Sequence, residues 1–247
     1  NGEVFLEDFM FRTATPFVDV PAEVELSIDI APAGLGIESS VGTFEFTLTE
    51  GETYIIIASG IVSADGYSPT QEFTLEVYPQ GLESSDNIDE VDVLVYHGST
   101  DAPTVGVSAI GVGTLIEEFS YGEFAGYLSV PEDNYTLTID VNEEPVLAYI
   151  APLSDLELGG HALTVLASGF LNPADNSNGA EFGLWVALAS GGDLVELEPT
   201  EIIPEEPTAR VQIIHNSADL AAESVDVFVN GEVFLEDFMF RTATPFV

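Results

Sequence analysis

His97 and His215 each open a short polar run at the end of an apolar one. The first reads His97-Gly98-Ser99-Thr100-Asp101 and the second His215-Asn216-Ser217-Ala218-Asp219. Histidine, serine and aspartate are the parts of a proton relay, in which an imidazole takes a hydroxyl proton and a carboxylate orients the imidazole. Close sequence neighbours do not easily reach that geometry, and the same trio stands at the same place in both runs. The expectation is that His97, Ser99 and Asp101, and likewise His215, Ser217 and Asp219, pin a loop by hydrogen bonds to backbone. His161 enters a strand without such companions and is read as structural. The sequence contains no H-E-x-x-H, no G-x-S-x-G and no phosphate-binding loop. Cysteine is absent, which removes thiol chemistry and disulfides alike.

A second chemistry is cation binding. Asp175-Asn176-Ser177-Asn178-Gly179-Ala180-Glu181 sets oxygen ligands at alternate positions, with a glycine for the turn. Asp175, Ser177, Gly179 and Glu181 are thus a candidate Ca²⁺ loop, although the spacing is not that of an EF-hand. Asp86, Asp89 and Glu90 form a second acidic cluster that a cation could stiffen. Otherwise no cofactor is expected. Asn134-Tyr135-Thr136 is a glycosylation sequon at a turn. Tyr67, Tyr121 and Phe9 could serve as sugar-stacking surfaces, or could pack in a core or an interface.

Strands must position these groups. Val24–Ile30, Phe44–Leu48, Phe73–Val77 and Tyr135–Val141 alternate apolar and polar residues, the pattern of strands with one buried face. Tyr54–Ala58 and Leu163–Ala167 are continuous apolar runs, expected of central strands buried on both faces. Turn signals such as Ala33-Gly34, Asp65-Gly66 and Gly159-Gly160 separate them. Many short strands with frequent turns indicate antiparallel sandwiches.

Two levels of repetition organise the chain. Residues 1–18 and 230–247 are identical, so the second copy begins 229 residues after the first. This is the signature of a tandem array with that period. Within the period, Val93–Asp101 aligns with Val211–Asp219, Phe17–Pro21 with Tyr127–Pro131, and Gly51–Gly60 with Gly160–Gly169. Each period is thus expected to hold two related sandwiches, A and B. Domain A is divided: residues 208–247 hold its opening part and residues 1–81 its closing part. Residues 82–89 link it to domain B at 90–198, and 199–207 form a Pro/Glu-rich connector, extended and stiff.

Ser224-Val225-Asp226-Val227-Phe228-Val229-Asn230-Gly231, following the His215 run, and His97 to Val105 together resemble the signature of a family, the domain of unknown function DUF4397. Domain A departs from that signature at Leu220-Ala221, and domain B at Gly106 and Ser108-Ala109. The resemblance implies an Ig-like β-sandwich in exported bacterial and archaeal surface proteins, often in tandem, with no activity attached.

Charge bounds the partners. The chain carries 44 acidic residues against 3 basic ones, a formal net charge of −41. Such a surface repels nucleic acid and anionic membranes, stays soluble as a polymer, and suits a saline habitat where repulsion is screened. No apolar stretch is long enough for direct insertion into a membrane. The expected fold is all-β, with tandem Ig-like antiparallel sandwiches in a beaded array. The expected role is a non-enzymatic extracellular fibre or stalk whose partner is itself, end to end. A glycan- or surface-binding adhesin is the alternative function. Strand donation between short subunits is the alternative assembly.

Overall fold

The structure is a computed structural model and describes residues 4–63, 65–203 and 210–245. It divides into two units, the first ending at Ile203 and the second beginning at Pro204. In the first unit the strands are β1 (Thr13–Ala14), β2 (Glu25–Ile30), β3 (Gly42–Thr47), β4 (Tyr54–Ser59), β5 (Thr74–Pro79), β6 (Glu90–His97), β7 (Val105–Ala109), β8 (Gly113–Phe119) and β9 (Phe124–Pro131). They continue with β10 (Asn134–Val141), β11 (Glu144–Pro152), β12 (Ala162–Ser168), β13 (Gly183–Leu188), β14 (Gly192–Asp193), β15 (Val195–Glu196) and β16 (Glu198–Thr200). The second unit holds β17 (Ser224–Val229) and β18 (Glu232–Met239). The expected all-β class is the observed one. Among the described residues no helix is long and apolar enough to cross a membrane.

Domain B is a complete β-sandwich. One five-stranded sheet has the order β15-β13-β12-β6-β9 and the other β16-β11-β10-β7-β8. Val91, Leu163, Val165, Leu184 and Val186 of the first sheet meet Val107, Ile139, Tyr149 and Ala151 of the second in one apolar core. The Pro/Glu-rich connector begins inside this sandwich, because Glu198–Thr200 pairs with β11. Its residues 204–207 lie outside the described residues. Pairing is antiparallel with one exception: β6 and β12 run parallel, from Ala162↔Asp92 to Ala167↔His97. A parallel pair needs a crossover rather than a hairpin, and β7–β11 supply it: β7, β8, β10 and β11 build the opposite sheet, while β9 returns to pair with β6.

The remaining hairpins repeat parts of this plan. The hairpin β4–β5 pairs Tyr54↔Pro79 through Ser59↔Thr74, and β12–β13 pairs Leu163↔Leu188 through Ser168↔Gly183, the same six-pair register. The bridge Ile61↔Glu72 beyond the first hairpin recurs as Phe170↔Glu181 beyond the second. In the second unit, β17–β18 copies β7–β8 down to its irregularities. Register shifts fall between Val225/Val227 and Val227/Phe228 in one, and between Val105/Val107 and Val107/Ser108 in the other.

What the pieces lack is closure. β2–β3 and β4–β5 each remain two-stranded sheets, as does β17–β18. The apolar run Tyr54–Ala58 is therefore not buried on both faces as expected: Ile56 is 38% exposed, against 8% for Val165 at the matching place in β12. Leu163–Ala167 lies beside β6 in a finished sheet. Tyr54–Ala58 has no strand on its outer edge, and its core-side residues face solvent.

Gly60 and Gly169 show how closely the repeated hairpins are constrained. Both have positive φ (92° and 95°), and a Cβ would land on the carbonyl oxygens of Glu72 and Glu181 respectively. Left-handed backbone combined with that clash excludes any side chain without local rearrangement. We expect Gly169→Ala to destabilise domain B by at least about 2 kcal/mol. Denaturant unfolding followed by the fluorescence of Trp185, the one tryptophan of the chain, reads this directly.

Candidate functional site

His97 ends β6 and is 1% exposed, with its ring edge-on to Phe119 at 5.5 Å between centroids. Its Nε2 lies 3.0 Å from the Pro103 carbonyl oxygen. A carbonyl only accepts, so Nε2 carries the proton and Nδ1 is bare. Nδ1 is buried without a partner. Ser99 Oγ donates to the Gly169 carbonyl at 2.7 Å. Asp101 accepts the backbone N–H groups of Leu171 (2.9 Å) and Asn172 (2.8 Å). The trio therefore does what its spacing suggests. It fastens the end of β6 to the loop that follows β12, and no hydrogen bond joins the imidazole to Ser99 or Asp101.

The second unit repeats the arrangement at His215. Its Nε2 donates to the Ala222 carbonyl at 2.7 Å, and Nδ1 accepts the Ser217 N–H at 3.3 Å. Phe238 and Phe240 flank the ring at 6.0 and 6.1 Å, as Phe119 and Tyr121 flank His97. The Asp219 carboxylate accepts Ala221 N–H, which caps a 3₁₀ turn over Leu220–Ala222.

The acidic loop is held by hydrogen bonds of its own. Among the described residues no group of three or more His, Cys, Asp or Glu side chains converges to hold a metal. Three of the four residues of the candidate Ca²⁺ loop have partners of their own. Ser177 Oγ donates to the Gly66 carbonyl at 2.9 Å, Gly179 N–H closes a turn onto Asn176 O, and the Glu181 carbonyl accepts from Arg12. The centre of the loop is Asn176, fully buried, a residue sequence reasoning passed over. Its Nδ2 donates to Asp101 Oδ2 (3.2 Å) and to Asn172 O (3.0 Å), and its Oδ1 accepts Ser68 N–H (2.9 Å). One amide thus ties the Asp101 loop to the segment arriving from domain A.

Further contacts between residues 10–85 and the sandwich complete that joint. Ser59 Oγ and Tyr121 Oη lie 3.1 Å apart, and Tyr127 Oη accepts Leu82 N–H at 2.8 Å. Tyr78 stacks on Phe124 (5.1 Å) and Tyr127 (5.8 Å), and Tyr67 on Phe170 (5.8 Å). Tyr67 and Tyr121 thus pack in this joint, while Phe9 is exposed. Residues 82–89 are fastened too, since Ser85 N–H donates to Gly160 O. Asn134 begins β10, exposed, with its side-chain oxygen accepting Asp155 N–H at 3.2 Å.

Arg12 adds three hydrogen bonds to the joint. Its Nη2 donates to Ser168 O (3.0 Å) and Glu181 O (2.8 Å), and its Nε to Ser168 Oγ (3.3 Å). The guanidinium lies over the Trp185 ring at 4.0 Å from the centroid, a desolvated cation–π geometry. Burial lowers its pKa, which Glu196 opposes. The signal available in the sequence was scarcity: one of three basic residues, and the single tryptophan.

Comparison with known proteins agrees with the motif. Residues 91–177 match the family model DUF4397, a domain of unknown function. Domain B is therefore a DUF4397-like domain. The match spans the His97 loop, both strands that hold it and the Asn176 hub. No curated protein and no solved structure matches the chain.

Two outcomes follow from this geometry. Burial depresses the His97 pKa, so the unfolded chain binds a proton that the folded one refuses. The stability from keeping this imidazole neutral is full above its ordinary value of ~6.5 and is lost as pH falls from there toward the lowered folded value. Trp185-monitored stability should fall across that window by up to about 1.4 kcal/mol per pH unit, and less steeply in His97→Gln. The second outcome concerns protease access. Arg12 and Arg241 lie in identical sequence, but only Arg12 is clamped on Trp185. Limited trypsin digestion of the native chain should cut after Arg241 before Arg12, by about tenfold for each ~1.4 kcal/mol of local opening.

Proposed function

We propose that this chain is the structural, non-enzymatic repeat unit of an extracellular fibre or cell-surface stalk, in which A and B sandwiches alternate like beads. The observation that carries the reading is the division of domain A. Its hairpins reproduce the registers of domain B, yet they lie at opposite ends of the period. A tandem array resolves this, because residues 211–229 of one repeat stand directly before residues 1–81 of the next.

The alignment with domain B supports one way for the halves to meet. In B, β6 lies between β12 and β9. The matching strand in A, around 211–215, is expected between β4 and β1, parallel to β4, with Ile57 opposite Ile214 as Leu166 is opposite Tyr96. Its present exposure supports this: Ile214 is 64% exposed and Tyr96 1%. Ser217 and Asp219 then reach Gly60 and the loop beyond it, as Ser99 and Asp101 reach Gly169 and Leu171. The surface chemistry suits a fibre. Forty-four acids keep neighbouring fibres apart in water and are screened within roughly 8–10 Å in saline. The aromatic and amide contacts of the joint favour a stiff connection over an adhesive surface.

The array is checked by mass. Fibre denatured and digested to completion with trypsin should yield two internal species, residues 13–210 and 211–241, since Arg12, Arg210 and Arg241 are the basic residues. Stoichiometric Asn1–Arg12 and Thr242–Val247 peptides would instead mean free chains joined by strand donation. Electron micrographs should show a thin beaded filament with an axial period of roughly 70–100 Å, from two sandwiches of ~100 residues each.

A further inference from the structure

The two copies of the eighteen-residue segment occupy different surroundings, and they use opposite edges of the same strand. In the second unit the segment pairs with the His215 strand. Thr244 N–H donates to Ile213 O, His215 N–H to Thr242 O, and Arg241 N–H to His215 O, around the bridge Ile214↔Ala243. In the first unit it pairs with β14, Thr13 opposite Asp193 and Ala14 opposite Gly192, while Leu194 N–H donates to Arg12 O.

In repeat numbering the first edge uses Arg12 N, Thr13 O and Thr15 N, and the second uses Arg12 O and the groups of Ala14. These sets do not overlap, because successive residues of a strand turn their backbone groups to opposite sides. The local fold is also the same in both copies. Arg12 and Arg241 have φ of 60° and 63°, and the following threonine bonds back to Met10 O or Met239 O at 2.6 Å in each. One copy of the segment can hold both partners without changing shape.

We propose that a single copy of Arg12–Thr15 joins two sandwiches at once. One edge receives the His215 strand of the preceding repeat, and the other holds β14 of the domain B that follows. The sheet of domain A thereby continues by hydrogen bonds onto domain B, and Arg12 locks the junction. The occupant of the first edge is a second copy of this sequence, so the inference rests on the fibre reading above. Domain B supplies the contrast. The residue matching Arg12 there is Gly122, at the same turn with φ of 84° and the same bond to the histidine carbonyl, Gly122 N–H to His97 O. Glycine adopts that backbone freely, whereas arginine is strained in it. Domain A retains the strained residue where its side chain has Ser168, Glu181 and Trp185 to bind.

The chain has no cysteine, so introduced thiols report cleanly. Fibre is prepared with Thr13→Cys, Ala14→Cys, Asp193→Cys and Ile214→Cys in every repeat, Thr242 and Ala243 being the same repeat positions as Thr13 and Ala14. Both disulfides, 13–193 within a repeat and 14–214 between repeats, should form in the same molecule with almost no free thiol left. Retention of about half the thiols would mean that each copy takes one partner or the other, and would overturn the proposal. Should the fourfold variant not assemble, the two pairs are made separately, and each must cross-link to near completion. Half-yield in either pair overturns the proposal equally. Arg12→Gly tests the lock: the 13–193 yield should fall several-fold while 14–214 is kept, and equal yields would remove Arg12 from the joint. If the trypsin peptides show free chains, the fibre reading fails by itself. A continuous array with half-yield disulfides retains the fibre and discards the two-edged strand.

Discussion

A sandwich of this topology depends on its central strand. In domain B, β6 lies between β12 and β9, parallel to one and antiparallel to the other, and without it the first sheet falls into separate pieces. It is buried on both faces: Val91 enters the core, while Leu94 and Tyr96 are covered on the outer side. Among the described residues the hairpin β4–β5 has no such strand beside it, and Ile56 is exposed there. On the array reading proposed above, the strand around 211–215 of the preceding repeat fills that place.

The same logic accounts for the acidic composition. A half-sandwich with free edges invites pairing with any strand that arrives. A surface of 44 acids and 3 bases discourages random edge pairing, since any two copies repel. The few cationic groups then act locally. Arg12 neutralises no carboxylate cluster; it is held by two backbone carbonyls, a serine and the face of Trp185. Geometry rather than net charge selects the partner at that joint.

Much of this was legible in the sequence. Period-two patterning located β2, β3, β5 and β10 within a residue or two. The aligned histidine runs revealed the internal duplication and the loop they fasten. Other features were not legible. A continuous apolar run such as Leu163–Ala167 reports burial on both faces but not strand direction, so the parallel β6–β12 pair was invisible. Tyr54–Ala58 carries the same signal yet faces solvent, since burial depends on a strand the run does not contain. The Asp175–Glu181 loop has the composition of a cation site, but the partners of its buried Asn176 include Asp101 and Ser68, which are remote in sequence. Asn176 and Arg12 gain their meaning only from neighbours brought by the fold.

The central claim is that domain A is completed by the preceding repeat. A cryo-electron-microscopy reconstruction of the fibre, at a resolution that separates strands, tests it most directly. The account predicts a strand of the preceding repeat lying between β4 and residues 12–15, parallel to β4, with Ile214 opposite Ile57 and Ser217 on the Gly60 carbonyl. A domain A whose β4 edge is open, or is covered by any other segment, would contradict it.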